Sequence, residues 1–174
     1  FRKLIHISSL WIPTVIYFCP QFVAMIVLLI FLLGDMILEY GNYKKLNWAR
    51  KSFGFLFVRI LRNKESSHKQ FQFTGAVYVF TSALVCLYAF SPAIAALSMT
   101  VMLISDTFAA IVGSSVGKLH IHGRKTLEGT LAFLFSALFI CWIFSFLGFV
   151  PLTYKMLVAC LVATVAELYE DVIR

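Results

Sequence analysis

Residues 92–117 are PAIAALSMTVMLISDTFAAIVGSSVG. This segment is longer than the roughly 20 apolar residues that a helix needs to cross a bilayer, yet it carries a carboxylate, Asp106, in its second half. An ionisable side chain inside a membrane span is costly unless it is paired or hydrated, and such residues commonly mark functional sites. The segment therefore predicts a transmembrane helix that carries a functional acid.

Further apolar segments lie on both sides of this one. The whole chain is 61% hydrophobic and 13% charged, whereas soluble domains average about 45–50% apolar and about 25% charged residues. We expect an all-α polytopic membrane helix bundle that forms one integral membrane domain over residues 1–174. In chain order, its six predicted spans are about Lys3–Cys19, Gln21–Tyr40, Gln72–Phe90, Pro92–Gly117, Lys125–Phe149 and Leu152–Val172.

A basic segment, Gly41–Gln70, separates the second and third spans. Its centre, Leu46–Leu61, mixes aromatic and aliphatic residues with lysine and arginine. That composition favours an amphipathic helix lying in the membrane interface. A solvated basic loop is the alternative.

The charged residues predict an orientation. If the N-terminus is cytoplasmic, every lysine and arginine except Lys155 falls on the cytoplasmic side, as the positive-inside rule requires. The net charge of +7 then reflects topology and anionic lipid, and no nucleic acid partner is expected. All eight acids also fall on that side. Because acids contribute little to orientation, they indicate a polar site at the cytoplasmic face of a multi-pass protein, in a bacterial inner membrane or the endoplasmic reticulum.

A series of small residues continues the face of Asp106: Ala109, Gly113 and Gly117 follow at spacings of three, four and four. Small residues at this spacing let a second helix, or a ligand, approach the backbone closely. Helix packing is the simpler interpretation, but packing does not need a carboxylate on the same face.

The next segment combines cations with a predicted helix start. Arg124 and Lys125 suit phosphate oxygens, Thr126 suits an N-cap, and the free amides of a helix start favour an anion. An ion pair between Arg124 and Glu128 within one helix is the alternative. Together with Asp106, this mixture of acids and bases is typical of Mg²⁺ with phosphate.

The cysteines and loop histidines give weaker signals. Because the cysteines are widely spaced within apolar runs, we expect free thiols that pack as small hydrophobic groups. For the histidines, a solvated loop is favoured over metal ligation. The residues are Cys19, Cys86, Cys141, Cys160, His120 and His122.

The central motif resembles the nucleotide motif of the dolichol kinase family. That motif consists of Asp106-x-x-Ala109-x-x-x-Gly113-x-x-x-Gly117, followed by Lys125-Thr126-x-Glu128-Gly129. The family includes phytol kinase and the CTP-dependent diacylglycerol kinase, and it is more distantly related to the CDP-diacylglycerol synthases. The resemblance extends over essentially the whole chain, with further matches at Arg2-Lys3-x-x-His6, Asp35-x-x-x-Glu39, Leu61-Arg62-x-x-Glu65, Thr74-Gly75-Ala76-x-Tyr78 and Glu167.

This resemblance implies that a CTP-dependent kinase phosphorylates a membrane lipid alcohol (a polyprenol, a phytol-like alcohol or diacylglycerol) at the cytoplasmic face. Its implied Mg²⁺ ligands are Asp106, Glu128 and Glu167. The implied catalytic residues are Asp106, Glu128, Lys125, Glu39 and Glu65, with Glu39, Glu65 or Glu167 as the base. The implied nucleotide contacts are Ala109, Gly113, Gly117, Arg124, Lys125, Thr126, Gly129 and Arg62.

Two other functions are left open. A phosphatidate cytidylyltransferase uses the same kinds of residues, and a small membrane transporter represents a different class. The expected partners are CTP, the lipid alcohol and the bilayer, and a homodimer is also left open. The sequence does not select the lipid, since an isoprenoid chain and a diacyl tail both require only an apolar groove.

Overall fold

The computed structural model describes residues 9–44, 75–122 and 125–169 of the 174. These residues form a helical bundle with one small hairpin. The helices are α1 (Trp11–Phe18), α2 (Gln21–Tyr43), α3 (Gly75–Ala89), α4 (Pro92–Ser115), α5 (Leu127–Phe146) and α6 (Tyr154–Leu168). The hairpin consists of β1 (His120–His122) and β2 (Lys125–Thr126), which pair antiparallel.

Each of the six predicted apolar segments corresponds to one of these helices, and α2 extends three residues beyond its predicted end at Tyr40. Three of the helices, α2, α4 and α5, are long and apolar enough to cross a membrane, and α3 is a shorter apolar helix. The all-helical prediction is therefore confirmed apart from the hairpin, and the three long helices are consistent with a membrane protein. The predicted interfacial helix, Leu46–Leu61, lies outside the described residues.

Helix α4 is shared by two apolar cores. One core lies among α1, α2, α3 and α4, and the other lies among α4, α5 and α6. Many large apolar side chains on the outer faces of the helices are exposed, as expected for a surface covered by lipid. The first core contains Ile12, Ile16, Ala24, Leu28, Ala83, Leu87, Ala95, Ala96 and Met99. The second contains Leu97, Val101, Ala109, Phe133, Ala137, Ile140, Cys141, Met156 and Cys160.

Three turns that contain proline lie at one end of the bundle. The α1–α2 turn reaches the α5–α6 turn, because the ring centroids of Tyr17 and Phe149 are 4.6 Å apart. It also reaches the α3–α4 turn, because Gln21 Nε2 donates to the Leu87 carbonyl at 2.8 Å. We call this the proline end. Helices α2, α4 and α6 run from it to the opposite, acidic end, where α3 and α5 begin.

Helix α5 is shorter than the predicted span Lys125–Phe149. It begins at Leu127 because the two preceding residues pair with β1, and Thr126 has an extended backbone with φ −110° and ψ 151°. It ends at Phe146, since Gly148 takes a φ of 76° that a helix does not contain. The predicted start and end of this helix were therefore wrong by two and three residues.

Candidate functional site

Two acids of α2 face the bundle interior near the acidic end. Asp35 and Glu39 are only 8% and 4% exposed. They share one face of α2 with the buried residues Ala24 and Leu28, at spacings of four, seven and four. At 1.5 Å per residue, Asp35 lies about 21 Å along its helix from the proline end. Asp35 Oδ2 is buried and makes no hydrogen bond to any described residue.

Asp106 lies at a similar depth on α4. It follows the first residue of α4, Pro92, by about 21 Å. It also follows Met99 by seven residues, so the two side chains leave the helix within about 20° of each other. Met99 belongs to the core of the first four helices. Asp106 is half-buried. It also precedes Gly113, which packs against the start of α5, by seven residues, so the same spacing places it on the side of α4 near α5.

The small residues of α4 pack closely against the start of α5. A Cβ placed on Gly129 would lie 3.0 Å from the Ala109 carbonyl oxygen and 3.3 Å from Gly113 Cα. A Cβ on Gly113 would lie 3.0 Å from Thr126 Oγ1. Helix packing thus accounts for the spacing of these residues. Nucleotide contact by Ala109, Gly113, Gly117, Thr126 and Gly129 stays a prediction.

Replacing Gly117 by alanine should destabilise the protein. The added Cβ would lie 2.3 Å from the Gly113 carbonyl oxygen and 2.6 Å from Thr126 Oγ1. We expect a loss of about 1–3 kcal/mol, the range for overpacking, seen as a lower midpoint of thermal unfolding in detergent. Gly34→Ala is the matched control, because nothing lies within 4 Å of its new Cβ. Equal midpoints for the two variants would contradict the close approach.

Thr126 caps α5 as predicted. Its Oγ1 accepts a hydrogen bond from the Gly129 N–H at 3.3 Å. The same oxygen lies beside Gly113 and Gly117. One side chain therefore fixes the start of α5 and fills the gap between α5 and the end of α4.

An ion pair joins the hairpin to the last helix. Lys125 Nζ donates to Glu167 Oε1, and the two side chains are only 19% and 8% exposed. Glu167 Oε2 is buried and has no hydrogen-bond partner among the described residues. The predicted roles were a phosphate contact for Lys125 and a metal contact for Glu167. The structure brings these two residues together with each other.

Glu128, in the first turn of α5, binds the backbone before β1. Its Oε1 accepts from the N–H groups of Lys118 and Leu119 at 3.1 and 3.4 Å, and its Oε2 lies 3.4 Å from the Leu119 nitrogen. The alternative ion pair between Arg124 and Glu128 involves a residue outside the described part of the chain. Arg124 itself lies outside the described residues, as do Arg62 and Glu65.

The described residues do not assemble the predicted set of three Mg²⁺ ligands. Within 9–44, 75–122 and 125–169, no group of three or more His, Cys, Asp or Glu residues could hold a metal ion. Glu128 contacts backbone amides and Glu167 contacts Lys125. Mg²⁺ is commonly held by one or two carboxylates together with substrate phosphates. Asp106 with nucleotide phosphates fits that pattern better than the predicted trio does.

The four cysteines are free thiols, as predicted. Cys141 and Cys160 are buried, and their sulfur atoms lie 3.5 Å apart between α5 and α6. Neither this contact nor the contact between Glu128 and the backbone was predicted from the sequence. Asp35 was predicted only as part of a motif match. The heptad spacing of Ala24, Leu28 and Asp35 was a signal that could have identified the buried face of α2.

The fold and composition of residues 9–44, 75–122 and 125–169 thus define the class: a helical protein in which three of the described helices are long and apolar enough to span a membrane. Comparison with known proteins adds one relative, an uncharacterized protein of Rickettsia prowazekii (strain Madrid E). It is 28% identical over 179 residues, covering 99% of this chain and 84% of the relative. No protein-family profile matches the chain. No solved structure matches it either.

Proposed function

We propose that this protein is a CTP-dependent kinase of a membrane lipid alcohol, with its site at the acidic end of the bundle. The observation that carries the proposal is the position of Asp106. It lies inside the apolar helix α4, and the C-terminal end of this helix leads into the hairpin that carries Lys125. The resemblance to the dolichol kinase family supports the choice of nucleotide and lipid. An embedded acid and a lysine on the same half of the bundle suit a reaction between a soluble phosphate donor and a lipid hydroxyl.

The proposal includes six transmembrane helices with both chain ends in the cytoplasm. Two features of the described residues support it. All the acids lie on the half of the bundle nearer the acidic end, and Lys44, Lys118 and Lys125 lie at that end too. Lys155, at the start of α6, is at the proline end. This asymmetry matches the positive-inside rule if the acidic end is cytoplasmic.

The proposed reaction is transfer of the γ-phosphoryl group. The lipid hydroxyl oxygen forms a bond to the γ-phosphorus, the bond from that phosphorus to the bridging oxygen breaks, and CDP leaves. The hydroxyl proton passes to a carboxylate, for which Glu39 and Glu65 are the proposed acceptors. Bound Mg²⁺ would neutralise phosphate charge. Asp106 would orient the metal-bound phosphates, and Lys125 would bind phosphate oxygen.

A phosphatidate cytidylyltransferase is the second candidate, because the same acids and lysines could serve attack of a lipid phosphate on the α-phosphorus of CTP. A transporter is less well supported. Transporters place binding groups near the bilayer midplane, with access from both sides. The described acids lie towards one end only.

Doubly labelled CTP tests the proposal. Purified protein is incubated with Mg²⁺, a polyprenol, phytol or diacylglycerol, and CTP labelled separately at the α and γ positions. The proposal predicts γ label in the lipid and release of CDP. Lipid that carries the α label, with release of pyrophosphate, would instead identify the cytidylyltransferase. An intact chain that gives no nucleotide-dependent lipid product would exclude both enzymes.

The same assay in sealed vesicles tests orientation. CTP does not cross a bilayer, so CTP added outside should support the reaction in inverted vesicles, defined here as those whose cytoplasmic face is outside, and not in right-side-out vesicles, whose cytoplasmic face is inside. Detergent should then restore the reaction in the right-side-out preparation. Activity confined to the right-side-out vesicles would contradict the proposed orientation.

A further inference from the structure

Glu128 forms a contact that its predicted role as a metal ligand does not explain. Its carboxylate accepts two successive backbone N–H groups, those of Lys118 and Leu119, which lie ten and nine residues earlier in the chain. Successive N–H groups that converge on one anion form a backbone anion site. In this protein, a side chain from the next helix occupies that site.

This contact closes the base of the hairpin. Lys118 and Leu119 directly follow α4, whereas Glu128 lies in the first turn of α5. A second hydrogen bond runs in parallel, from the Leu127 N–H to the Leu119 carbonyl oxygen at 2.8 Å. The N–H and the carbonyl oxygen of Leu119 are therefore both hydrogen-bonded to the start of α5.

We infer that Glu128 is a positioning residue that holds the hairpin base in place, and that it is not a Mg²⁺ ligand. Both of its carboxylate oxygens lie within 3.4 Å of backbone nitrogens. Oε1 accepts two N–H groups and so uses both of its lone pairs, whereas Oε2 accepts one, which leaves a single lone pair for any metal ion. By fixing the hairpin, Glu128 fixes where Lys125 presents its ammonium group. The role of that ammonium group in binding phosphate rests on the proposed function, whereas the contact between Glu128 and the backbone does not.

Hydrogen exchange tests the contact without any substrate. In Glu128→Ala, amides 118–122 should exchange at least about tenfold faster, because the two N–H groups lose their acceptor. Glu128→Gln should remain within about threefold of the unmodified protein, since the Gln carbonyl oxygen can replace Oε1 as acceptor. Lys118→Ala is the control: it removes the side chain and keeps the backbone N–H. Unchanged exchange in Glu128→Ala would overturn the inference.

Turnover of CTP then separates positioning from metal binding. If Glu128 is a positioning residue, Glu128→Gln should keep both kcat and the Mg²⁺ concentration for half-maximal activity within about threefold of the values for the unmodified protein. Glu128→Ala should then raise the KM for CTP by a larger factor than it lowers kcat. A Glu128→Gln variant that needs at least about tenfold more Mg²⁺ would identify a metal ligand and overturn the inference. Absence of turnover in the unmodified protein would refute the proposed kinase function and leave the exchange test decisive for Glu128.

Discussion

Replacing Asp106 by asparagine is expected to reduce CTP turnover by about 100-fold or more, the range for removing a group that acts on transition-state charge. Asparagine has nearly the same shape, so the packing of α4 should survive. It lacks the negative charge that would bind Mg²⁺ and orient the metal-bound phosphates. The measurement is initial rate with labelled CTP, beside the midpoint of thermal unfolding for each variant.

Ser98→Ala is the matched control on the same helix. Ser98 is exposed on the half of α4 nearer the proline end, where its hydroxyl donates to the Ile94 carbonyl oxygen of the same helix. Its turnover should stay within about twofold of the unmodified protein, as for most surface substitutions. If Asp106→Asn retained turnover at a normal midpoint, the role of Asp106 in the reaction would be wrong.

Glu167→Ala should be strongly destabilising. It would remove the carboxylate that the partly buried Lys125 ammonium contacts. Breaking a buried ion pair from one side costs about 3–5 kcal/mol, and we expect about 3 kcal/mol because Lys125 retains some exposure. The readout is the free energy of unfolding in detergent, compared with Lys155→Ala at the proline end.

A double variant separates stability from function. Lys125→Met with Glu167→Leu replaces the ion pair by apolar side chains of similar size, which is often neutral or stabilising for a buried pair. We therefore expect stability to return to within about 1 kcal/mol of the unmodified protein. CTP turnover should remain low, since the phosphates lose Lys125. Full turnover in this stable variant would show that the ion pair serves the fold alone.

The helices could be predicted from the sequence because their signals are local. Apolar runs bounded by prolines indicated all six segments, and Pro92 occupies the first position of α4, where its missing N–H is no loss. The cap at Thr126 was also predictable, since it joins residues only three apart.

The hairpin could not be predicted in the same way. Its strands have only three and two residues, too few for a periodic pattern. It is held in place by contacts that sequence spacing does not reveal. Lys125 pairs with a residue 42 positions later, and Glu128 binds backbone N–H groups that every non-proline residue offers.

The residue types of the candidate site could be predicted from the sequence, but the contacts among those residues could not. The sequence placed the acids towards one side of the bundle, and the structure places those it describes towards one end. It could not show that Glu128 and Glu167 use their carboxylates on the hairpin itself, because these contacts depend on how three helices meet. The small residues Ala109, Gly113 and Gly117 were ambiguous for a related reason, since close helix packing and close ligand approach favour the same residue types.

Mapping where CTP binds tests the central claim most directly. Amide exchange of the purified protein is measured with and without CTP and Mg²⁺ at millimolar concentration. A site at the acidic end predicts slower exchange in β1, β2 and the first turn of α5, no change in the turn between α5 and α6, and no protection in Asp106→Asn. Unchanged exchange throughout the chain, or protection confined to the proline end, would contradict a nucleotide site built from Asp106 and the hairpin.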